Sequence, residues 1–187
     1  VVDALGNSVI STSNVTMTSD QAVLGQKSAY IPDNGRVTFS NPSLFNVGTG
    51  DFTIGFWWRP DAWAVTDDFG RVFNTNGDNL GNTGPFRITF DPGSSHLRFY
   101  AESTTDGNAF AEHLFSYDLT GGANTWHHFM VSRDNGQTTL YVNGSPEASS
   151  AISYHLSTSN NPTLGGAVGD YGTASGYFQD FFWMNET

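Results

Sequence analysis

Residues 126–144 read "WHHFMVSRDNGQTTLYVNG". Phe129 and Val131 stand two apart on one parity before the "DNG" triplet, and Leu140 and Val142 do so after it. Side chains along a strand point to opposite faces with a period of two, and Asn-Gly between two such runs marks a tight hairpin turn. The stretch therefore reads as two antiparallel strands that share one apolar face, followed by a second Asn-Gly turn at 143–144. The same period recurs in Asp51–Pro60, where Phe52, Ile54, Phe56 and Trp58 share one side and Thr53, Gly55, Trp57 and Arg59 the other. In "PFRITFDPGSSHLRFYAES", Phe86, Ile88 and Phe90 answer Leu97, Phe99 and Ala101 across "DPGSS". Shorter apolar runs lie around Val37 and Phe39, at 71–74, in "PTLGGAVG" and in "GYFQDFFWMN", where Tyr177, Phe181 and Trp183 fall on one parity. The first thirty residues are polar and irregular, with short strand-like pieces.

Composition agrees. The chain has one lysine (Lys27), four glutamates, 21 glycines and 14% aromatic residues, a mix that suits strands and turns rather than helices. Many short strands between Gly, Pro, Asn and Asp turns predict an all-β fold, a sandwich or jelly roll. At 187 residues the chain fits one domain and buries roughly 70% of its unfolded surface, so it folds without a metal or a disulfide. With no cysteine, a zinc-thiolate site and a cysteine nucleophile are excluded. A formal net charge of −11 repels a phosphate backbone, which argues against nucleic acid. No apolar run reaches the roughly 18 residues of a membrane span, and no signal peptide is visible. The chain starts at Val1 without Met, which reads as a processed or excised segment.

Catalytic patterns are sparse. His127 and His128 are adjacent, so in a strand they face opposite ways and cannot share one metal. Glycoside hydrolysis needs two carboxyl groups about 5 Å apart, or roughly 6.5–9.5 Å for inversion. Glu102, Glu112, Glu147 and Glu186 are far apart, and none has a second acid two or four residues along its strand. "GTASG" near Ser175 lacks the serine-hydrolase elbow spacing, and no phosphate-binding loop occurs. "NTNGDN" at 74–79 carries oxygen side chains at alternate positions, as a calcium loop does, but Pro85 stands where the bidentate glutamate of an EF-hand belongs. Sequons occur at Asn14, Asn143 and Asn185 and matter only in a eukaryotic secretory pathway.

If the apolar parity of each strand faces the core, the opposite parity can be read off. It carries Trp57 and Arg59, then Arg87 and Thr89, then His96, Arg98 and Tyr100. The 126–144 hairpin adds His128, Met130, Thr139, Tyr141 and Asn143. Three of six arginines and several aromatics are thus expected on one outer face of an acidic protein. Sugar C–H groups lie on aromatic rings while their hydroxyls bond to fixed polar groups. Trp57, with the small Gly55 and Thr53 beside it on the same parity, is expected to leave its ring open for this. The same face would equally pack under a loop or against another chain.

Taken together, "AYIPDNGRVTF", "FNVGTGDFTIGFWWRP", "TWHHFMVSRDNGQTTLYVNG" and "PTLGGA…GYFQDFFW" resemble the laminin-G-like jelly roll of the concanavalin A-like lectin/glucanase superfamily, over residues 25–184. The resemblance implies a two-sheet antiparallel jelly-roll β-sandwich. Family members usually open with an apolar strand before the stretch that is "DALGN" here. Its absence would leave the closing strand at 177–184 with an unpaired edge. Phe182 stands where an arginine is common, and the paired acids of the glucanase branch are missing. The cysteine-free, short-loop form looks most like phage and bacterial examples.

The resemblance implies a non-catalytic carbohydrate-binding or surface-attachment module: one jelly-roll domain, 1–187, of a larger exported or phage virion or tail-fibre protein, at an extracellular or virion surface. Its expected partner is a cell-surface glycan or host receptor, with no nucleic acid and no membrane insertion. Candidate carbohydrate-binding residues are Trp57, Arg59, Arg87, Arg98, Tyr100 and Tyr141. Laminin-type relatives hold Ca2+ at the sheet rim, for which Asp78 and Asn160 are the nearest candidates. The rival reading is a structural virion or fibre subunit that binds copies of itself or other virion proteins and has no sugar ligand. An enzyme ranks last.

Overall fold

The backbone alternation read from the sequence builds two facing antiparallel sheets. The computed structural model describes residues 9–25, 27–61, 70–75, 86–102, 111–151, 154–158, 160–166 and 173–186. In chain order the strands are β1 (Val9–Ser13), β2 (Thr16–Thr18), β3 (Ser28–Ile31), β4 (Arg36–Phe39), β5 (Asp51–Pro60), β6 (Gly70–Asn74) and β7 (Phe86–Asp91). They continue with β8 (His96–Glu102), β9 (Ala111–Asp118), β10 (His127–Asp134), β11 (Gln137–Val142), β12 (Ser145–Ser150), β13 (Thr163–Gly165) and β14 (Gly176–Glu186). Among the described residues, one 3-10 turn spans Pro42–Phe45. The first sheet has the order β1-β4-β13-β6-β7-β8-β9 and the second β12-β11-β10-β5-β14-β3-β2. This is a two-sheet antiparallel jelly roll. No helix among the described residues is long and apolar enough to cross a membrane.

The hairpins adopt the expected registers. Phe129 faces Val142 and Val131 faces Leu140, across a two-residue turn in which Asn135 (φ 49°) and Gly136 (φ 79°) are both left-handed. Asn143 (φ 51°) and Gly144 (φ 84°) repeat that geometry between β11 and β12. Left-handed dihedrals at both turn residues match the twist of the flanking strands, which is why Asn-Gly occupies each turn. Phe86 faces Ala101, Ile88 faces Phe99 and Phe90 faces Leu97. Two strands were not read from the sequence, β9 and β12: "SPEASS" shows no apolar alternation, and in Ala111–Asp118 the adjacent Leu114 and Phe115 interrupt it, where the pairing with β8 also shifts register.

Between the sheets lies an aromatic core. Phe52, Phe56, Trp58, Phe73, Phe86, Phe90, Phe99, Phe129 and Phe178 are all less than 2% exposed. Each such ring contributes about 1.5–3 kcal/mol by leaving water. Trp183 stacks on Phe52 at 5.0 Å and Phe181 on Phe39 at 5.1 Å.

Two expectations about the closing strand are corrected. The strand is not at an edge, because β14 lies between β5 and β3. Tyr177 also does not share a face with Phe181 and Trp183. Gln179 faces Trp57 and Phe182 faces Gly55, so β14 holds one extra residue at Asp180 (φ 52°). This β-bulge inverts the parity. Phe178 points into the core before it, and Phe181 and Trp183 do so after it.

The "LGG" stretch is explained by close approach. Gly165 is left-handed (φ 85°), and a Cβ there would stand 2.8 Å from the Gly35 carbonyl oxygen and 2.8 Å from Ile31 Cγ2. Left-handed backbone costs a residue with a Cβ roughly 1–2 kcal/mol before any clash. Gly165→Ala is therefore expected to destabilise the fold by about 2 kcal/mol or more. Urea unfolding measures this, and an unchanged midpoint would refute it.

Candidate functional site

The two sheets turn their second faces outward on opposite sides of the core, and this divides the predicted site. Trp57 and Arg59 on β5 and Tyr141 on β11 belong to the second sheet; Arg87 on β7 and Arg98 and Tyr100 on β8 belong to the first. The expectation of one common face is corrected: strand parity shows which side chains oppose the core but not which sheet carries them.

On the first sheet, Arg87 lies opposite Tyr100, its guanidinium carbon 4.6 Å from the ring centre. Arg98 pairs with Asp91 across the β7–β8 hairpin (Nη2–Oδ2 2.5 Å). Burial opposes ionisation of Asp91, but the Ser94 hydrogen bond, the Arg98 charge and backbone N–H groups together hold its carboxyl below the usual range. These arginines are engaged within the protein. Thr89 and Arg71, neighbours of Arg98 in the same sheet, are 3% and 5% exposed.

On the second sheet, cross-strand register sets half-exposed side chains in rows. Tyr30, Tyr177 and Arg59 form the first, on β3, β14 and β5. The Tyr30 and Tyr177 ring centres are 4.8 Å apart, and the Arg59 guanidinium lies 5.4 Å from the Tyr177 ring. Gln179, Trp57 and His128 form the second row, with the Trp57 and His128 rings 5.1 Å apart. Phe182, Gly55, Met130 and Tyr141 form the third. Tyr141 thus shares the face of Trp57 but stands two strands away, beyond Met130.

The small neighbour of Trp57 does not leave open space. A Cβ on Gly55 would stand 2.4 Å from Cζ of Phe182, so the Phe182 ring lies over Gly55. Aromatic cover of a strand glycine is a known way to fill that gap. Trp57 consequently sits in a frame of Phe182, His128, Gln179 and Arg59. The Gln179 amide oxygen accepts N–H bonds from Val23 and Leu24, each 2.9 Å, which straps the 19–25 segment along the border of the platform.

Three polar groups of this face were not read from the sequence. Asp180 reaches it only because of the bulge, and its charge acts on His128. Asp61 and Ser175 meet beyond the end of β5, Ser175 Oγ donating to Asp61 Oδ2 at 2.8 Å. A bulge and a loop contact leave no periodic signal that would have disclosed them.

His128 and His127 do face opposite ways. His127 packs toward Phe129, with Nε2 3.1 Å from the Gly122 carbonyl oxygen, while His128 meets Trp57 outside. The His128 N–H donates to Asn143 Oδ1 at 2.9 Å, so the Asn143 sequon amide is engaged in the turn. Burial pushes the His128 imidazole below its ordinary range, and Asp180 draws it partly back. A depressed folded value means that stability is complete above the unfolded value of about 6.5 and is lost as pH falls through the folded one. Between about pH 7.5 and pH 5, His128→Gln is expected to lose less melting temperature than the parent chain. Equal losses would clear His128 of this role.

Of the two metal candidates, Asp78 lies outside the described residues. Asn160 sits in a turn where its N–H donates to Thr158 Oγ1 at 3.2 Å. Among the described residues no three His, Asp or Glu side chains gather as a metal site. Glu147 is exposed on β12.

A two-sheet jelly roll with a half-exposed aromatic platform on one outer face defines a lectin-like β-sandwich. The chain belongs to the concanavalin A-like lectin/glucanases superfamily, whose family model matches residues 32–186. Among curated proteins, no sequence matches it. Several solved structures share the fold. The botulinum neurotoxin serotype D binding domain aligns over 98% of this chain and 44% of its own length, at 12% identity and a TM-score of 0.69. Domain 4 of an extracellular arabinanase from Geobacillus stearothermophilus, in complex with arabinotriose, aligns over 93% of this chain and 76% of its own (15% identity, TM-score 0.63). The carbohydrate binding module CBM66 from Bacillus subtilis aligns over 92% and 93% (13% identity, TM-score 0.52). The chain spans less than half the length of the neurotoxin binding domain.

Proposed function

We propose that the chain is a non-catalytic carbohydrate-binding module: one jelly-roll domain of a larger exported or virion tail-fibre protein that attaches it to a cell-surface glycan or glycosylated receptor. The observation that carries this reading is the second-sheet face, where Trp57 is framed by polar groups already held in place. Arg59 is stacked on Tyr177, Gln179 is bonded to the 19–25 strap, and Asp61 is bonded to Ser175. Such preorganisation spares a ligand the ordering of its contacts. Trp57, Arg59 and Tyr141 remain in this site. The Arg87, Arg98 and Tyr100 group, on the far side of the core, does not belong to it. The arabinotriose complex of the arabinanase domain and the carbohydrate binding module support the same reading by analogy of fold.

A glycan array probed with the chain, in calcium and again after chelation, tests it. Selective binding that survives chelation supports the Trp57 platform. Binding lost with the chelator shifts the site to a calcium-dependent loop rim. Silence in both conditions overturns the reading. A second reading, a self-associating fibre subunit, draws on four exposed apolar side chains: Met17 (55%), Met184 (51%), Leu24 (44%) and Val23 (37%). Solution mass separates the two, since a stable trimer or larger ring favours assembly.

A further inference from the structure

The polar frame of this face extends past Trp57 in one direction. Asp61 follows β5, four residues from Trp57 and on the same parity, roughly 13 Å away at the rise of an extended chain. Its carboxylate is held by Ser175 Oγ, and its own N–H donates to the Ser175 carbonyl oxygen at 3.1 Å. The Tyr30 hydroxyl stands beside it; burial and then this contact raise the pKa of Tyr30, so the phenol stays a donor. Between Trp57 and Asp61 stands Arg59, fixed on Tyr177. The strip therefore runs from an apolar ring, past a planar guanidinium with no hydrogen-bond partner among the described residues, to an acceptor-only carboxylate.

Building on the carbohydrate-binding reading, we infer that this strip takes an uncharged, linear saccharide of at least two units laid along β5, with one ring on Trp57 and the next held by Arg59 and Asp61. Three features favour that ligand. The separation of Trp57 from Asp61 exceeds one pyranose ring. A carboxylate accepts from hydroxyl pairs and has nothing to donate to a sugar acid. Asp61 at one end, Asp180 near His128 at the other and a net charge of −11 all repel a carboxylated or sulfated chain. Asp61 is then the residue that sets length and charge preference, while Trp57 supplies the basal stacking.

Titration calorimetry decides this, with neutral glucan, xylan, arabinan and galactan fragments of one to four units and with oligogalacturonides and sialylated glycans as acidic probes. The expected result is about a tenfold gain from one unit to two in the parent chain, reduced to little or none in Asp61→Asn. Ser175→Ala, which frees the carboxylate without removing it, is expected to fall between, and it decides the matter should Asp61→Asn fail to fold. Equal affinity for one and two units, an unaltered chain-length gain in both variants, or acidic probes bound as tightly as neutral ones would overturn the inference alone. A parent chain that binds none of the probes would overturn the carbohydrate reading, and this inference with it.

Discussion

Trp57→Ala is expected to weaken binding to the glycan selected on an array by about 100-fold, or ~2.8 kcal/mol, while the melting temperature stays nearly constant. The separation of the two effects follows from position. Trp57 stands on the outer face and is only half-buried, whereas its neighbour Trp58 is fully buried in the core. Removing the Trp57 indole leaves no internal cavity. It strips the centre of the platform, where the ring offers its negative face to sugar C–H groups. His128 lies beside the ring, and Phe182 covers the neighbouring Gly55. Phe is therefore expected to restore part of the affinity at position 57, and Leu to restore little. An Ala variant that binds as the parent does would remove this face from consideration. A variant that unfolds would show that Trp57 serves the sheet more than a ligand.

The largest stability effect is expected at Arg133, which lies on the core side of β10 and is 3% exposed. Among the described residues its guanidinium has no ion-pair partner, and it donates to main-chain oxygens. Nε donates to Gly50 O at 2.7 Å, Nη2 to Gly48 O at 2.9 Å and also to Gly50 O, and Nη1 to Tyr154 O at 3.1 Å. The plane is sandwiched between Phe52 and Tyr154, at 5.1 and 4.7 Å. One side chain thus ties the strand to two loops remote from it in sequence. In Arg133→Met, Gly48 O keeps its bond from the Leu156 N–H, while the Gly50 and Tyr154 carbonyls lose their guanidinium donors. The buried Tyr154 carbonyl left without that donor costs about 1–3 kcal/mol, and with the part-buried Gly50 bonds and the packing on Phe52 and Tyr154 also lost, a total of about 3 kcal/mol or more is expected in urea unfolding. Arg133→Lys is expected to recover little, because one ammonium cannot reproduce a planar fork across three carbonyls. A Met variant within about 1 kcal/mol of the parent would contradict the account.

Both residues mark where reading the sequence succeeds and where it stops. Trp57 lies outside because Phe52, Ile54, Phe56 and Trp58 claim the inside, a deduction that needs only the period of a strand. The same parity puts Arg133 inside with Phe129 and Val131. What makes a buried arginine tolerable there are carbonyls at 48, 50 and 154, and no local pattern announces them. Arg87, Arg98 and Tyr100 were likewise placed correctly on an outer parity and wrongly on the face of Trp57.

Local chemistry thus determined what is local. Alternation set which side of each strand is apolar, Asn-Gly at 135–136 and 143–144 set the hairpins, and turn spacing set the registers of β7 with β8 and β10 with β11. Tertiary structure alone decided which strands from distant parts of the chain become neighbours. It brought β14 between β5 and β3, placed Phe182 over Gly55, turned Asp180 outward through a bulge and joined Asp61 to Ser175 across 114 residues. The reason is that strand period and turn type act over a few residues. Sheet order and bulges are settled by packing two sheets around one aromatic core, where many distant side chains must fit at once.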